Sequence, residues 1–263
     1  MTRLIAGAGL TAALFCISAS ALGQSAPHDS IAGIWDNGPT ITTPFGQPPS
    51  GPGPITATAQ RGEIVGWRGD YNSPILRPWA ADVIRQRVQN DIDDVFQAEP
   101  KESCNPLGVP HIMQLNGVIQ VNPGAEVTTI LYMWNARARL IYMNAAHPDD
   151  VVPSYHGHSV GHWEGTTLVV DTIGFNERTP VDIFSTPHTN QMRVVERYSL
   201  TEGGTNLHVD FTVEDPGAFT TAWSATADYA ATDLEYIEIL CQENNRFPDG
   251  SEVPIPVDYT PDF

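Results

Sequence analysis

The chain has 263 residues, 41% of them hydrophobic, and sets 13 basic side chains against 31 acidic ones for a formal net charge of −18 at pH 7. This length supports one large domain or two small ones with a real core. The charge would repel a phosphate backbone or an anionic membrane surface, so neither nucleic acid nor membrane is an expected partner.

The chain opens with Arg3 and an apolar run from Leu4 to Leu22, closing on Ala21-Leu22-Gly23. This reads as a signal peptide over residues 1–23, cleaved near Gln24. Cys16 follows Phe15 rather than a small residue, which argues against lipidation there. Removing Arg3 and no acid takes the charge to −19. No later apolar run is long enough to span a bilayer, so the expected location is periplasmic or secreted. Two cysteines then remain, Cys104 and Cys241. In an oxidising compartment they favour a disulfide, the alternative being two separate buried thiols.

Residues 24–54 read as an extended N-terminal segment, with a Pro/Gly-rich loop from Asn37 to Pro54 expected over the barrel mouth. Residues 55–263 read as a single β-barrel domain, which a strand near 31–36 joins. One short helix is expected near 78–90, with Pro78 in its first turn and Trp79, Val83, Ile84 and Val88 near helical spacing. After Pro110 the pattern is of strands: Gly117–Val121, Val127–Trp134, Leu140–Met143, Leu168–Thr172, Arg193–Leu200, Thr205–Val213, Trp223–Ala231 and Leu234–Cys241. Turn signals such as Pro123-Gly124, Glu164-Gly165 and Glu202-Gly203-Gly204 separate them. Short strands with local turns indicate an antiparallel meander, and closure into a barrel removes its edges. The expected fold is mainly β, a lipocalin-like, calycin-type barrel, and Gly33-Ile34-Trp35 supplies the Gly-x-Trp with which such barrels begin.

Several segments together resemble a large family of secreted bacterial proteins, most of them uncharacterised. They are CNPLGVP from Cys104, HP at His147, GHSVGHWEGTTLVVDTIGFN from Gly157, PHT from Pro187, VVERY from Val194 and CQENN from Cys241. The match spans most of the chain after the leader, and its central block is specific. Thr166 stands where the family has an acid, and Thr189 where it has serine. The resemblance implies a lipocalin-like barrel in a secreted protein.

The densest chemistry lies from Tyr155 to Asn176. In an extended strand His156, His158 and His162 share parity, and neutral imidazoles on one face suit a divalent transition metal such as zinc, copper or iron. Asp171 interrupts an apolar strand and is expected to point inward, as an anchor or a tuned acid or base. Glu196 sits among apolar neighbours with Tyr198 on its face, and Glu238 likewise; Arg193 or Arg197 is the expected partner of one of them. His188 follows Pro187 in a loop and could act as an acid or base near neutral pH. His158-Ser159 lies in GHSVG, but a hairpin follows it rather than a strand-to-helix turn, which argues against a serine hydrolase. Candidate proton-transfer groups are therefore His158 and His188, with Asp171 or Glu196 orienting one of them. Trp163, Asn176, Tyr198 and Glu238 are candidate ligand contacts, and Trp35, Trp67, Trp134, Trp163 and Trp223 are expected in core and rim. The expected function is binding of a small amphipathic or aromatic molecule, with acid–base chemistry of a lyase, isomerase or hydrolase. The alternatives are a non-catalytic carrier, a histidine-ligated metal protein, or an interaction domain using the Pro-rich loop.

Overall fold

The computed structural model describes residues 31–38, 44–58, 68–95, 97, 104–237 and 239–241. The expected leader, Trp67 and the side chain of Glu238 lie outside the described residues. Nine strands form a closed barrel in sequence order: β1 (Gly33–Asp36), β2 (Val118–Asn122), β3 (Val127–Tyr132), β4 (Arg137–Met143), β5 (His158–Glu164), β6 (Thr167–Ile173), β7 (Arg193–Thr201), β8 (Asn206–Glu214) and β9 (Trp223–Ala231). Among the described residues the one α-helix, α1, spans Pro78–Ile92, beside short 3-10 turns at His111–Gln114 and Glu202–Gly204. The described residues are thus mainly β, with a closed barrel and one short α-helix.

An odd ring of strands cannot be antiparallel throughout, so at least one neighbouring pair must be parallel. That pair is β4–β5, where Ile141 faces Ser159 and Met143 faces Gly161. A parallel pair needs a crossover of about a dozen residues or more. Residues 144–157 supply it and bring His147 and His156 to the wall. The other neighbours are antiparallel, and β1 closes the ring by pairing Trp35 with Ala231 and Asp36 with Ala230.

Alternation sorts the side chains. Val194 and Tyr198 on β7, Leu207, Val209, Phe211 and Val213 on β8, and Trp223, Ala225 and Tyr229 on β9 are all buried in one core. On β8 the polar row His208, Asp210, Thr212 and Glu214 faces outward, as its alternation predicts. The long segments that lead into β2 and β5, and those joining β6 to β7 and β8 to β9, meet at one end of the barrel. Helix α1 closes onto this end through Leu76, which bridges Phe219. Pro78 stands in the first turn, and Ala80, Ala81, Ile84 and Val88 form the buried face. Tight turns close the opposite end.

Two expectations change. Residues 234–237 are not a strand, because β9 is already paired with β8 on one side and with β1 on the other. Closure has used the edge that a tenth strand would need. The segment instead runs extended along the wall: Tyr236 Oη donates to Tyr132 O at 2.9 Å, and Ile239 bridges Trp134 in parallel. It ends at the Cys104–Cys241 disulfide, with Cα atoms 5.5 Å apart. The described part of the Pro-rich stretch does not cover a barrel mouth. Gly46 bridges Thr226 on the stretch of β9 beyond β1, and Phe45 packs edge-on against Phe211 at 4.8 Å. Its extended backbone completes the wall at that seam.

Candidate functional site

Two clusters of polar side chains stand on opposite sides of the barrel wall. The inner one is built on Arg139, which shares a face of β4 with Ile141 and Met143. Its guanidinium is buried and donates to both oxygens of Glu196, to Oε1 at 2.8 Å and to Oε2 at 2.5 Å. Nε reaches Ser159 Oγ at 3.1 Å and Nη2 reaches Thr172 Oγ1 at 2.8 Å. Tyr198 Oη donates to Glu196 Oε1 at 2.6 Å. Burial pulls the Arg139 guanidinium down, but the charge of Glu196 outweighs it and holds the group well above its usual value. Burial and then the Glu196 charge push the Tyr198 phenol well up. The network is therefore an ion pair with its donors and acceptors engaged, flanked by neutral phenols. Glu196 is paired with Arg139, not with Arg193 or Arg197, because both of those arginines face outward.

The outer cluster forms a row across β4, β5, β6 and β7. Tyr142 stacks on His158 with ring centroids 5.1 Å apart. His158 Nδ1 lies 2.9 Å from Nδ1 of His147, which the crossover carries. His147 Nε2 faces Asp171 Oδ2 at 3.7 Å, and Arg193 clamps Asp171 with two hydrogen bonds of 2.8 Å. Asp171 therefore points outward, contrary to the inward orientation expected of it; the inner positions of β6 are Leu168, Val170 and Thr172. Burial works against the Asp171 carboxylate, but the Arg193 hydrogen bonds and charge hold it below its usual value.

The hydrogen bond between the two Nδ1 atoms can run in either direction, according to the tautomers of His147 and His158. Among the described residues Nε2 of His158 has no hydrogen-bond partner. Burial first, and the neighbouring His147 second, lower the His158 pKa, so its ring is a neutral base at pH 7. Leu140 and Tyr142, adjoining it on β4, are exposed at 47% and 39% and form an apolar shelf beside that nitrogen.

The remaining candidates fall elsewhere. Gly157 has φ of 65°, and a Cβ there would lie 2.5 Å from Ile173 O. This turn breaks the parity of the histidine run: His158 and His162 face outward, while His156 is turned into the wall with both ring nitrogens buried and unpartnered. His162 pairs with Glu164 at 3.2 Å. The three expected metal ligands thus do not converge, and among the described residues no group of three or more His, Cys, Asp or Glu is arranged to hold a metal ion. His147 and His158 are the imidazoles close enough to share one.

His188 is buried in the β6–β7 connection, where Nδ1 meets Thr189 O at 2.9 Å and the ring packs on Phe175. Burial lowers its pKa, opposed by its backbone hydrogen bonds and by Asp215 and Glu177. Its contacts are with the loop it ties down, not with His158. Asn176 accepts from Arg178 N in a local turn, and Trp163 packs half-buried against the core. Tyr198 belongs to the inner network.

Sequence reasoning missed Arg139 and the role of His147. Arg139 shares parity with Ile141 and Met143, but Leu140 and Tyr142 make the other face of β4 equally apolar, so alternation does not choose between them. His147 is tied to the wall by a crossover whose path follows from barrel closure rather than from local pattern.

No protein-family model matches the chain, and no curated protein matches it. A crystal structure of a luciferase domain from the dinoflagellate Lingulodinium polyedrum matches at 12% identity over 68% of this chain, with a TM-score of 0.26. The match covers 47% of that chain, about half its length.

Proposed function

We propose that the protein is a secreted β-barrel that performs acid–base chemistry on a small amphipathic or aromatic molecule at the outer wall of β4–β6. His158 is the proton acceptor, His147 and Asp171 are positioning residues that hold its ring and tautomer, and Leu140 with Tyr142 form the apolar shelf for the substrate. The observation that carries this reading is the Asp171–His147–His158 row. With the proton of His147 on the Nε2 that faces Asp171, His158 donates from Nδ1 and keeps a lone pair on Nε2. A base of this kind is most effective when its pKa lies near working pH and its ring is held in place. Hydrolysis, isomerisation and elimination can each begin with proton removal by such a group.

The compartment rests on the leader, the family resemblance and the Cys104–Cys241 disulfide. No helix among the described residues is long and apolar enough to cross a membrane.

The test is a turnover assay of purified protein against aryl esters and aromatic ketones with acidic α-protons. The expected result is activity that falls about a hundredfold or more in His158→Ala while the melting temperature stays nearly unchanged. Activity that survives in His158→Ala, or no activity on any compound, contradicts the reading.

A further inference from the structure

We propose that the groove between the Pro-rich arch at Pro48–Ser50 and the outer wall of β7–β9 binds a neutral, hydroxyl-rich ligand the size of one sugar ring. The site is independent of the acid–base reading. Arg197, which lines the groove, stands four residues beyond Arg193 on β7, and no residue of the His158 row takes part.

The groove follows from the sequence of the arch. Gly46 exchanges backbone hydrogen bonds of 2.9 and 3.1 Å with Thr226 of β9, and Pro52 O accepts from Ser224 N at 3.0 Å. Between these anchors the chain leaves the wall. Pro48 and Pro49 have no N–H to give to a strand, and Gly51, with φ of 85°, turns the chain back. The arch stands beside the outward side chains of three strands and leaves a groove of about 250 Å³ that is open to solvent. Clefts for drug-sized ligands measure roughly 300–1,000 Å³, so the occupant here is small.

The wall of the groove carries hydrogen-bonding capacity that the protein leaves unused. Arg197 and Asp210 are partners in the β7–β8 register, yet no ion pair joins them among the described residues. Arg197 commits Nη2 to Glu164 at 2.7 Å, which leaves its other N–H groups available. Asp210 meets His208 Nε2 only at 3.4 Å. Thr212 Oγ1 and Ser224 Oγ, 2.9 Å apart, add two hydroxyls that donate or accept.

This donor set selects the ligand class. An anion would face Asp210 and the nearby Glu164, and a cation would face Arg197, so neither charge is matched. Neighbouring hydroxyls of a neutral ligand donate to the Asp210 carboxylate and accept from the Arg197 guanidinium, and both hydrogen bonds are charge-assisted. The proline rings of the arch offer C–H surface to the less polar face of a pyranose.

Amide NMR titration with methyl β-glucoside, methyl β-galactoside and methyl α-mannoside tests the groove, with sodium acetate and tetramethylammonium chloride as charged controls. The expected result is saturable one-to-one shifts of the Thr212 and Ser224 amides with at least one glycoside, while the His158 ring stays in place. Affinity should weaken about tenfold or more in Asp210→Asn. Asp210 is exposed, so this variant should keep the fold, and a thermal melt checks it. Pro48→Gly with Pro49→Gly slackens the arch, leaves both charges in place and should also weaken binding. Absence of saturable shifts with all three glycosides, shifts centred on His158, unchanged affinity in Asp210→Asn, or a charged control that binds as tightly overturns the proposal.

Discussion

The two polar clusters on either side of the β4–β7 wall use similar chemistry to opposite ends. Inside, Arg139 and Glu196 are fully desolvated, and each donor or acceptor is matched by Ser159, Thr172 or Tyr198. Outside, Asp171 and Arg193 form an equally good bidentate pair but are partly exposed, and the row continues through His147 to a histidine whose far nitrogen has no partner among the described residues. A satisfied buried network has nothing left with which to act on another molecule. In the proposed function the outer row keeps one free lone pair, and its backing carboxylate serves to aim it. The position of the unsatisfied atom, more than the number of charged groups, separates structure from chemistry here.

The sharpest way to break this contrast is to remove one partner from each cluster. Arg139→Met strands a buried carboxylate and should cost about 3–5 kcal/mol in denaturant unfolding, while adding Glu196→Leu should restore part of the loss. His158→Ala should change stability by about 0.5 kcal/mol or less, as surface substitutions do, yet remove the base. Equal costs in the two variants would mean that the outer row is also structural.

Next in size is the disulfide. It joins residues 137 apart and ties the segment that leads into β2 to the C-terminal segment beside β3. Cys104→Ser with Cys241→Ser should cost about 2–5 kcal/mol. The His158 resonances should stay in place, because the row is held by β4–β7 and the crossover. If they move with the melting temperature, the outer site depends on the segment that leads into β2.

Gly157→Ala addresses the turn that separates the clusters. A left-handed conformation and a Cβ 2.5 Å from Ile173 O should together cost more than about 1 kcal/mol. The substitution should also disturb His156 and His158 together, which two-dimensional NMR of the imidazoles would show.

The smallest expected effect concerns pH. His156 is lowered to about 4 from an ordinary value near 6.5, so the unfolded chain binds its proton first as pH falls. Its stabilising contribution is complete above about pH 6.5 and is lost as pH falls through about 4. Asp182 acts in the opposite sense: burial pushes its carboxyl up to about 6, so its contribution is complete below about 4 and is lost as pH rises through 6. The difference in unfolding free energy between the parent and His156→Gln isolates the histidine, and it should shrink as pH is lowered from 7 to 4. A difference independent of pH would show that the ring titrates normally in the fold.

Much of the barrel is legible in the sequence because alternation and turn chemistry are local. The hairpins at Glu164-Gly165 and Glu202-Gly203-Gly204 and the buried row Leu207, Val209, Phe211 and Val213 need no long-range information. Closure is not local. It decides that residues 234–237 cannot be a strand, and it forces the parallel β4–β5 step whose crossover delivers His147. Alternation also fails where both faces of a strand are apolar. Val169 and Val170 are both buried, so Asp171 gives no sign of its side, and Leu140 and Tyr142 hide the inward turn of Arg139. The histidine run is informative, but the left-handed Gly157 sends its members apart and leaves His158 to find its partner at His147.

The most direct test is the protonation state of His158, read from long-range proton–nitrogen correlations of the histidine rings at pH 7. The outer-row account predicts a neutral ring with its proton on Nδ1 and a bare Nε2, and a change of tautomer population in Asp171→Asn and His147→Ala. A proton on Nε2, or a charged ring at pH 7, would contradict it.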